Sequence, residues 1–144
     1  MPTVYMKLPY EEQVLRPDAL RAVRLGDGSS GFTLDLGLNY YRGQPLSAVE
    51  KLDVTIDGEP VDLSAAVCEL GDKLLPPSQL PLAITEFWSL KKRLRLHIND
   101  HPLTPGRHQV DVVLHVRNVS MWFGNGWGMI DGSASRELEL QEAA

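Results

Sequence analysis

Apolar residues recur at every second position through much of this chain, and no stretch sustains a helical period. The clearest run sets Phe32, Leu34, Leu36 and Leu38 alternately with Thr33, Asp35, Gly37 and Asn39. A period of two turns one row toward a core and the other outward, so a half-buried strand is expected over residues 31–39. Gly43 and Pro45 break the run, one by tolerating unusual dihedrals and the other by lacking a donor, which leaves Tyr40, Tyr41 and Arg42 at the strand's end. Leu52, Val54 and Ile56 repeat the pattern before Asp57-Gly58, a pair suited to the positive φ of a tight hairpin, and Glu59-Pro60-Val61 returns. Leu94, Leu96 and Ile98 form another row. The longest strand sets Val110, Val112, Leu114 and Val116 on one face, with Gln109, Asp111, Val113, His115 and Arg117 on the other.

The segments between these strands are read from their breakers. Residues 3–8 and 12–16 hold short β-favouring runs cut by Pro9 and Pro17. The Leu, Ala and Arg content of residues 16–25 suits a helix, but the glycine-rich turn at 26–31 favours a strand at 21–25 hairpinned to that at 31–39. Residues 65–70 and 73–75 form a small hairpin about Gly71-Asp72. The three prolines of 76–81 leave an extended loop with at most one helical turn. Trp88 is placed in the core with Ile84, Phe87 and Leu90. Residues 121–130 read as a loop of large apolar residues among glycines, and 136–140 as a last amphipathic strand. About eight or nine short strands make an all-β, antiparallel β-sandwich or open barrel of immunoglobulin-like texture, without the Cys and Trp spacing of antibody domains. No repeat or linker divides residues 1–144, so one domain is expected.

Composition narrows the partners. At 144 residues the chain can bury about 68–70% of its unfolded surface without staples. A net charge of −5, from 14 basic and 19 acidic residues, argues against nucleic acid, whose phosphates need clustered cations. Lys91-Lys92-Arg93 is the one basic cluster and reads as the solvated start of a strand. Cys68 is the only cysteine, which excludes an intrachain disulfide and fits a buried apolar role in a reducing compartment. The first residues lack a basic segment followed by an apolar stretch, and no window reaches the roughly 18 apolar residues of a membrane span. A cytoplasmic protein is expected.

Candidate chemistry is sparse. His108 and His115 point to opposite faces of one strand, while His97 and His101 could converge in a turn but lack a third ligand. No serine occupies a Gly-x-Ser-x-Gly elbow. Asp35, Asp53, Asp57 and Asp111 read as solvated polar faces, although carboxylates could meet across strands. The glycines at 124, 126 and 128 lack the Lys-Ser or Lys-Thr of a phosphate loop. Two aromatic groups remain. Tyr40, Tyr41 and Arg42 are residue types that anchor interfaces. Alternatively, Tyr41 bonds to backbone and Arg42 pairs with Glu50, Asp53 or Glu86. Trp122, Phe123 and Trp127 belong either to the core or to a contact surface; a loop with three glycines has trouble burying three rings without burying backbone, which favours the surface.

Tyr40-Tyr41-Arg42-Gly43-Gln44-Pro45-Leu46-Ser47, the Asp57-Gly58 hairpin, Thr85-Glu86-Phe87-Trp88 and the run from Leu103 through His108 to Arg117 together resemble the small β subunit of bacterial C-glycoside deglycosidases, over roughly residues 31–120. The resemblance implies a chain with no catalytic or metal-binding residues of its own. Its partner would be a catalytic TIM-barrel α subunit, holding a divalent metal, commonly manganese, and a histidine base. The substrate would be an aromatic C-glycoside, such as one of a flavonoid, already oxidised to its 3-keto form and cleaved by β-elimination. Tyr40, Tyr41, Arg42, Trp122, Phe123 and Trp127 then become the residues expected to touch partner or substrate. Residues 121–128 are richer in tryptophan than the family pattern, which leaves the aglycone open. A stand-alone carbohydrate-binding or adhesion module, with Trp122 and Trp127 stacked on sugar rings, is the alternative. A metal-dependent enzyme relying on His97 and His101 is a third.

Overall fold

The period-two rows become strands of two sheets that share one apolar core. In this computed structural model the described residues are 4–24, 30–99, 101–122 and 127–142, the side chains of 119–122 and 127 excepted. In chain order the strands are β1 (Val4–Met6), β2 (Leu20–Arg24), β3 (Ser30–Leu36), β4 (Gln44–Pro45), β5 (Val49–Ile56), β6 (Glu59–Pro60), β7 (Val67–Leu70), β8 (Lys73–Leu75), β9 (Phe87–Trp88), β10 (Leu94–Ile98), β11 (Arg107–Trp122), β12 (Trp127–Asp131) and β13 (Ala134–Glu139). One sheet runs β1-β12-β11-β5-β6, with β13 also paired to β11. The other runs β2-β3-β10-β7-β8, and β4 and β9 form a separate two-stranded ribbon. Neither sheet closes into a barrel, and the architecture is all-β and sandwich-like, as the alternation predicts.

The buried rows meet in a single cluster. Phe32, Leu34 and Leu36 of β3, Leu94 and Leu96 of β10, Val110, Val112, Leu114 and Val116 of β11, Ile130 and Leu138 all belong to it. Each such side chain, fully buried, contributes about 1.5–3 kcal/mol. The predicted faces of β11 hold, since burial alternates residue by residue from Val110 to Asn118. The hairpins also fall where expected. Strand β2 pairs antiparallel with β3, β7 with β8, and β5 with β6. The last turn places Asp57 at φ 51° and Gly58 at φ 83°.

Several expectations change. Strand β3 ends at Leu36, short of residue 39, because the helical turn α1 (Glu11–Val14) crosses its end. The Gly37 amide donates to the Val14 carbonyl at 3.1 Å, and a Cβ on Gly37 would lie 2.1 Å from the Gln13 carbonyl oxygen. Part of the 12–16 run is therefore helical, with Glu11 and Glu12 in its first turn, where acids suit the dipole. The polar row of β3 is also not solvated: Thr33 is 5% exposed and Asp35 7%. With β2 and β10 on both edges, that face is roofed by guanidinium groups; Arg95 Nε and Nη2 donate to Asp35 at 2.7 and 3.1 Å. The proline segment forms a six-residue 3₁₀ helix, Pro77–Leu82, longer than the one turn expected.

Most of the expected 121–130 loop is strand. β11 runs to Trp122 and β12 resumes at Trp127, so the β preference of Trp, Met and Ile outweighs the interspersed glycines. The longer pairing carries register shifts between Asn118 and Trp122, and another against β5 at His115 and Val116. Finally, β1 joins β12 in parallel, a pairing no hairpin signal announces. Thirteen described strands replace eight or nine, since two-residue pairs such as β4 and β9 are too short to show a period.

Candidate functional site

The corner at residues 40–43 is divided between core and surface. Tyr40 is 3% exposed and its hydroxyl accepts from Asn118 Nδ2 at 2.9 Å, tying the corner to β11. Tyr41 is 61% exposed, its ring tilted 36° against that of Tyr40 with centroids 4.4 Å apart. The two hydroxyls lie 3.4 Å apart, and this contact with Tyr40 holds the Tyr41 phenol above its ordinary pKa, hence neutral. Arg42 is exposed and enters none of the ion pairs among the described residues. Glu50 instead receives Arg117, and Asp53 lies 3.9 Å from Lys51. None of the three expected partners, Glu50, Asp53 or Glu86, forms an ion pair with Arg42.

Beyond the corner the β4–β9 ribbon fixes the next aromatic residues. Gln44 pairs with Trp88 and Pro45 with Phe87. A Cβ on Gly43 would fall 2.5 Å from Phe87 Cε2 and 2.6 Å from the Trp88 carbonyl oxygen, so only glycine lets the ring lie there. Trp88 is fully buried, as predicted, and its indole donates to the Lys92 carbonyl at 3.0 Å. Its expected companions are not. Ile84 is 76% exposed, and Phe87 and Leu90 also face solvent. Residues 84–88 alternate ambiguously, and of these only Trp88, in the short β4–β9 ribbon, turns its side chain into the core. Leu74 and Leu82 are exposed as well and line one side of a cleft of about 230 Å³ with Lys73 and Glu86.

The second aromatic group lies apart in the sheet order, on the β11–β12 hairpin, where Trp122 stands opposite Trp127. Their side chains, and Phe123, lie outside the described residues.

Several of the titratable groups that sequence singled out are committed to partners within the fold. His108, 5% exposed, has Nδ1 2.6 Å from Asp57 Oδ2 and Nε2 2.7 Å from the Thr104 carbonyl. Burial alone would lower its pKa, but the Thr104 carbonyl and the Asp57 carboxylate outweigh it and the net shift is upward. His108 donates its hydrogen bond to Asp57, which with the Gln109 amide lowers that carboxyl. Sequence missed this pair, although the β5–β11 register sets the hairpin turn beside Gln109. His97 Nε2 lies 2.7 Å from Glu69, while His101 packs edge-on against Phe32 and His115 against Tyr5. Among the described residues no three His, Cys, Asp or Glu side chains gather where a metal would need them. Burial pushes the Cys68 thiol up to about 11, which leaves it unreactive. No described helix is long and apolar enough to cross a membrane.

A family model described as C-glycoside deglycosidase beta subunit matches residues 10–119. Among curated proteins the chain is similar to the 3'-dehydrocarminate deglycosidase beta subunit of Microbacterium sp, 26% identical over 108 residues that cover 75% of this chain and 78% of that one. The matched span contains the corner, the β4–β9 ribbon and the exposed Leu74, Leu82, Ile84, Phe87 and Leu90, and it stops before β11 ends at Trp122.

Proposed function

The chain belongs to the C-glycoside deglycosidase beta-subunit family, and we propose on that premise that it is the non-catalytic subunit of a hetero-oligomeric enzyme that cleaves the C–C glycosidic bond of aromatic C-glycosides. The family match over residues 10–119 carries this reading. The commitment of the candidate acids and bases supports it: His108, His97 and Asp35 each hold another part of the fold. A general base must reach a substrate proton, and groups held in this way are spent on structure.

In the proposed reaction the substrate carries a ketone at C3 of the sugar, which acidifies the C2 proton. A base on the catalytic barrel removes that proton, and the electron pair forms an enolate. Collapse of the enolate expels the aglycone from C1 and leaves a C1–C2 double bond beside the ketone, while the departing carbon takes up a proton. No water adds, so the step is that of a lyase. A divalent metal, with manganese as the proposed ion, would stabilise the enolate oxygen from the barrel subunit. The described residues of this chain offer no cluster to hold it. This chain's part is to hold the barrel's loops and to supply apolar wall near a planar aglycone, for which Tyr41 and Arg42 are the exposed members of the corner.

The test is co-expression with the barrel subunit encoded by the same genome. The pair should copurify and release aglycone from a 3-keto C-glucoside, and the lone chain should release none. Release by the lone chain, or failure of the two to copurify, contradicts the proposal.

A further inference from the structure

We infer that the ledge formed by Leu74, Leu82, Ile84 and Phe87, rimmed by Arg42, Lys73, Lys91 and Lys92, is the face on which the catalytic subunit docks. The inference rests on the proposed function and names the surface that function uses.

The ledge is apolar where a free monomer has no reason to be. Leu82 and Ile84 are 75% and 76% exposed, close neighbours in a segment where Leu80 is buried and Ala83 half-buried. Leu74 and Leu82 line one cleft together with Thr85 and Glu86, which Ile84 and Phe87 flank in the chain. Adjoining apolar side chains of this size on a soluble surface mark a contact site more often than chance exposure does.

It is also rigid before anything binds. The backbone from Pro76 to Glu86 is stitched by hydrogen bonds that the amides of Gln79, Ala83, Ile84 and Glu86 donate to the carbonyls of Pro76, Leu80, Leu82 and Ala83. Leu46 then donates to the Glu86 carbonyl at 2.8 Å and fastens the segment's end to the fold. Pro76, Pro77 and Pro81 restrict it further. A surface ordered in advance loses little entropy on association, which is how a small apolar patch becomes an anchor.

Charge selects the occupant. The chain carries a net −5, yet about the ledge cations outnumber acids: Arg42, Lys73, Lys91 and Lys92 stand against Glu86 in the cleft and Asp72 at the β7–β8 turn. Lys73 lines the cleft, and Lys91 lines a polar groove that includes Gly71 of the β7–β8 turn, where Asp18, Asp35 and Glu69 face three arginines. Lys92 places Nζ 3.5 Å from where a Cβ on Gly71 would stand, at the β7–β8 turn. Arg42 precedes the glycine on which Phe87 rests. None of the four enters an ion pair among the described residues. A second copy of this chain, docked through the same face about a two-fold axis, would set two net-positive rims against each other. The occupant that fits is a catalytic subunit presenting an apolar recess edged with carboxylates. Position in the chain agrees, because the whole ledge lies within the family-matched span, whereas exposed Tyr5 and the end of β11 at Trp122 lie outside it.

The experiment co-expresses the barrel subunit with wild-type chain, Leu82→Glu, Ile84→Glu, Arg42→Glu and Tyr5→Glu, and measures complex by size exclusion with light scattering. Circular dichroism melts of each lone chain check folding, and exposed positions should leave the melt unchanged. Leu82→Glu and Ile84→Glu should each weaken the complex by about tenfold or more. Arg42→Glu should slow association at low salt and flatten its salt dependence, and Tyr5→Glu should match wild type. If wild type assembles and Ile84→Glu assembles equally well, the ledge is not the docking face and the proposed function stands. If wild type assembles with no barrel subunit, both fail. A homodimer that Ile84→Glu dissociates would assign the ledge to a second copy and overturn the inference.

Discussion

His108 is held at both ring nitrogens by acceptors, the Asp57 carboxylate and the Thr104 carbonyl, so only the doubly protonated imidazolium satisfies both. Its folded pKa is raised above 6.5, so the stability it contributes is complete below about 6.5 and is lost as pH rises through the folded value. Asp57 is lowered below 3.8, so its contribution is present above about 3.8 and is lost as pH falls through the folded value. The pair therefore stabilises most between those limits. The melting temperature of the chain should fall from pH 6 to pH 9. Replacement by His108→Leu should cost about 1–3 kcal/mol in denaturant unfolding at pH 6 and less at pH 9. A mutant deficit equal at both pH values would contradict the assignment. Sequence showed a histidine on a strand and an aspartate in a hairpin turn; it did not show that the register lays one beside the other. Tyr40 and Tyr41 pose the same difficulty, since adjacent tyrosines look alike in sequence and only the approach of Asn118 makes the first internal.

At the scale of elements, period two carried most of the fold. β3, β5, β10 and β11 and the turns at Asp57 and Gly71 stand where alternation and turn residues put them. Strand ends were less legible, because another element decides them. β3 stops where α1 arrives, and α1 is a four-residue turn too short for periodicity to show. The junction depends on Gly37, since any Cβ there meets the Gln13 carbonyl oxygen, a backbone atom that cannot rotate away. Gly37→Ala should destabilise the chain by about 1–3 kcal/mol or more in denaturant unfolding, with enhanced amide exchange across residues 11–14 and 19–22. An alanine variant as stable as wild type would mean that α1 is not packed on β3 in solution. The hairpin beyond Asn118 escaped for a different reason. Its glycines signal a loop, while its Trp, Met and Ile prefer a strand, and pairing to β1 and the body of β11 resolves the conflict.

Across the whole molecule, the division between an inert frame and an exposed apolar ledge is what a subunit built to dock would need. The family was legible from an ordered set of short motifs between Tyr40 and Arg117, and the matched span of residues 10–119 encloses them all. Which aromatic and aliphatic residues face outward was not, because Ile84, Phe87 and Leu90 read as company for Trp88, and only the fold shows that Trp88 alone of them is buried. If the chain acts through another polypeptide, its effect must saturate at a fixed ratio to that partner. The most direct measurement holds the barrel subunit constant, adds this chain in rising amounts and follows aglycone release from a 3-keto C-glucoside. The rate should climb and level off at a constant molar ratio, with no release by the chain alone. A rate indifferent to the added chain would contradict its standing as a working subunit of that enzyme.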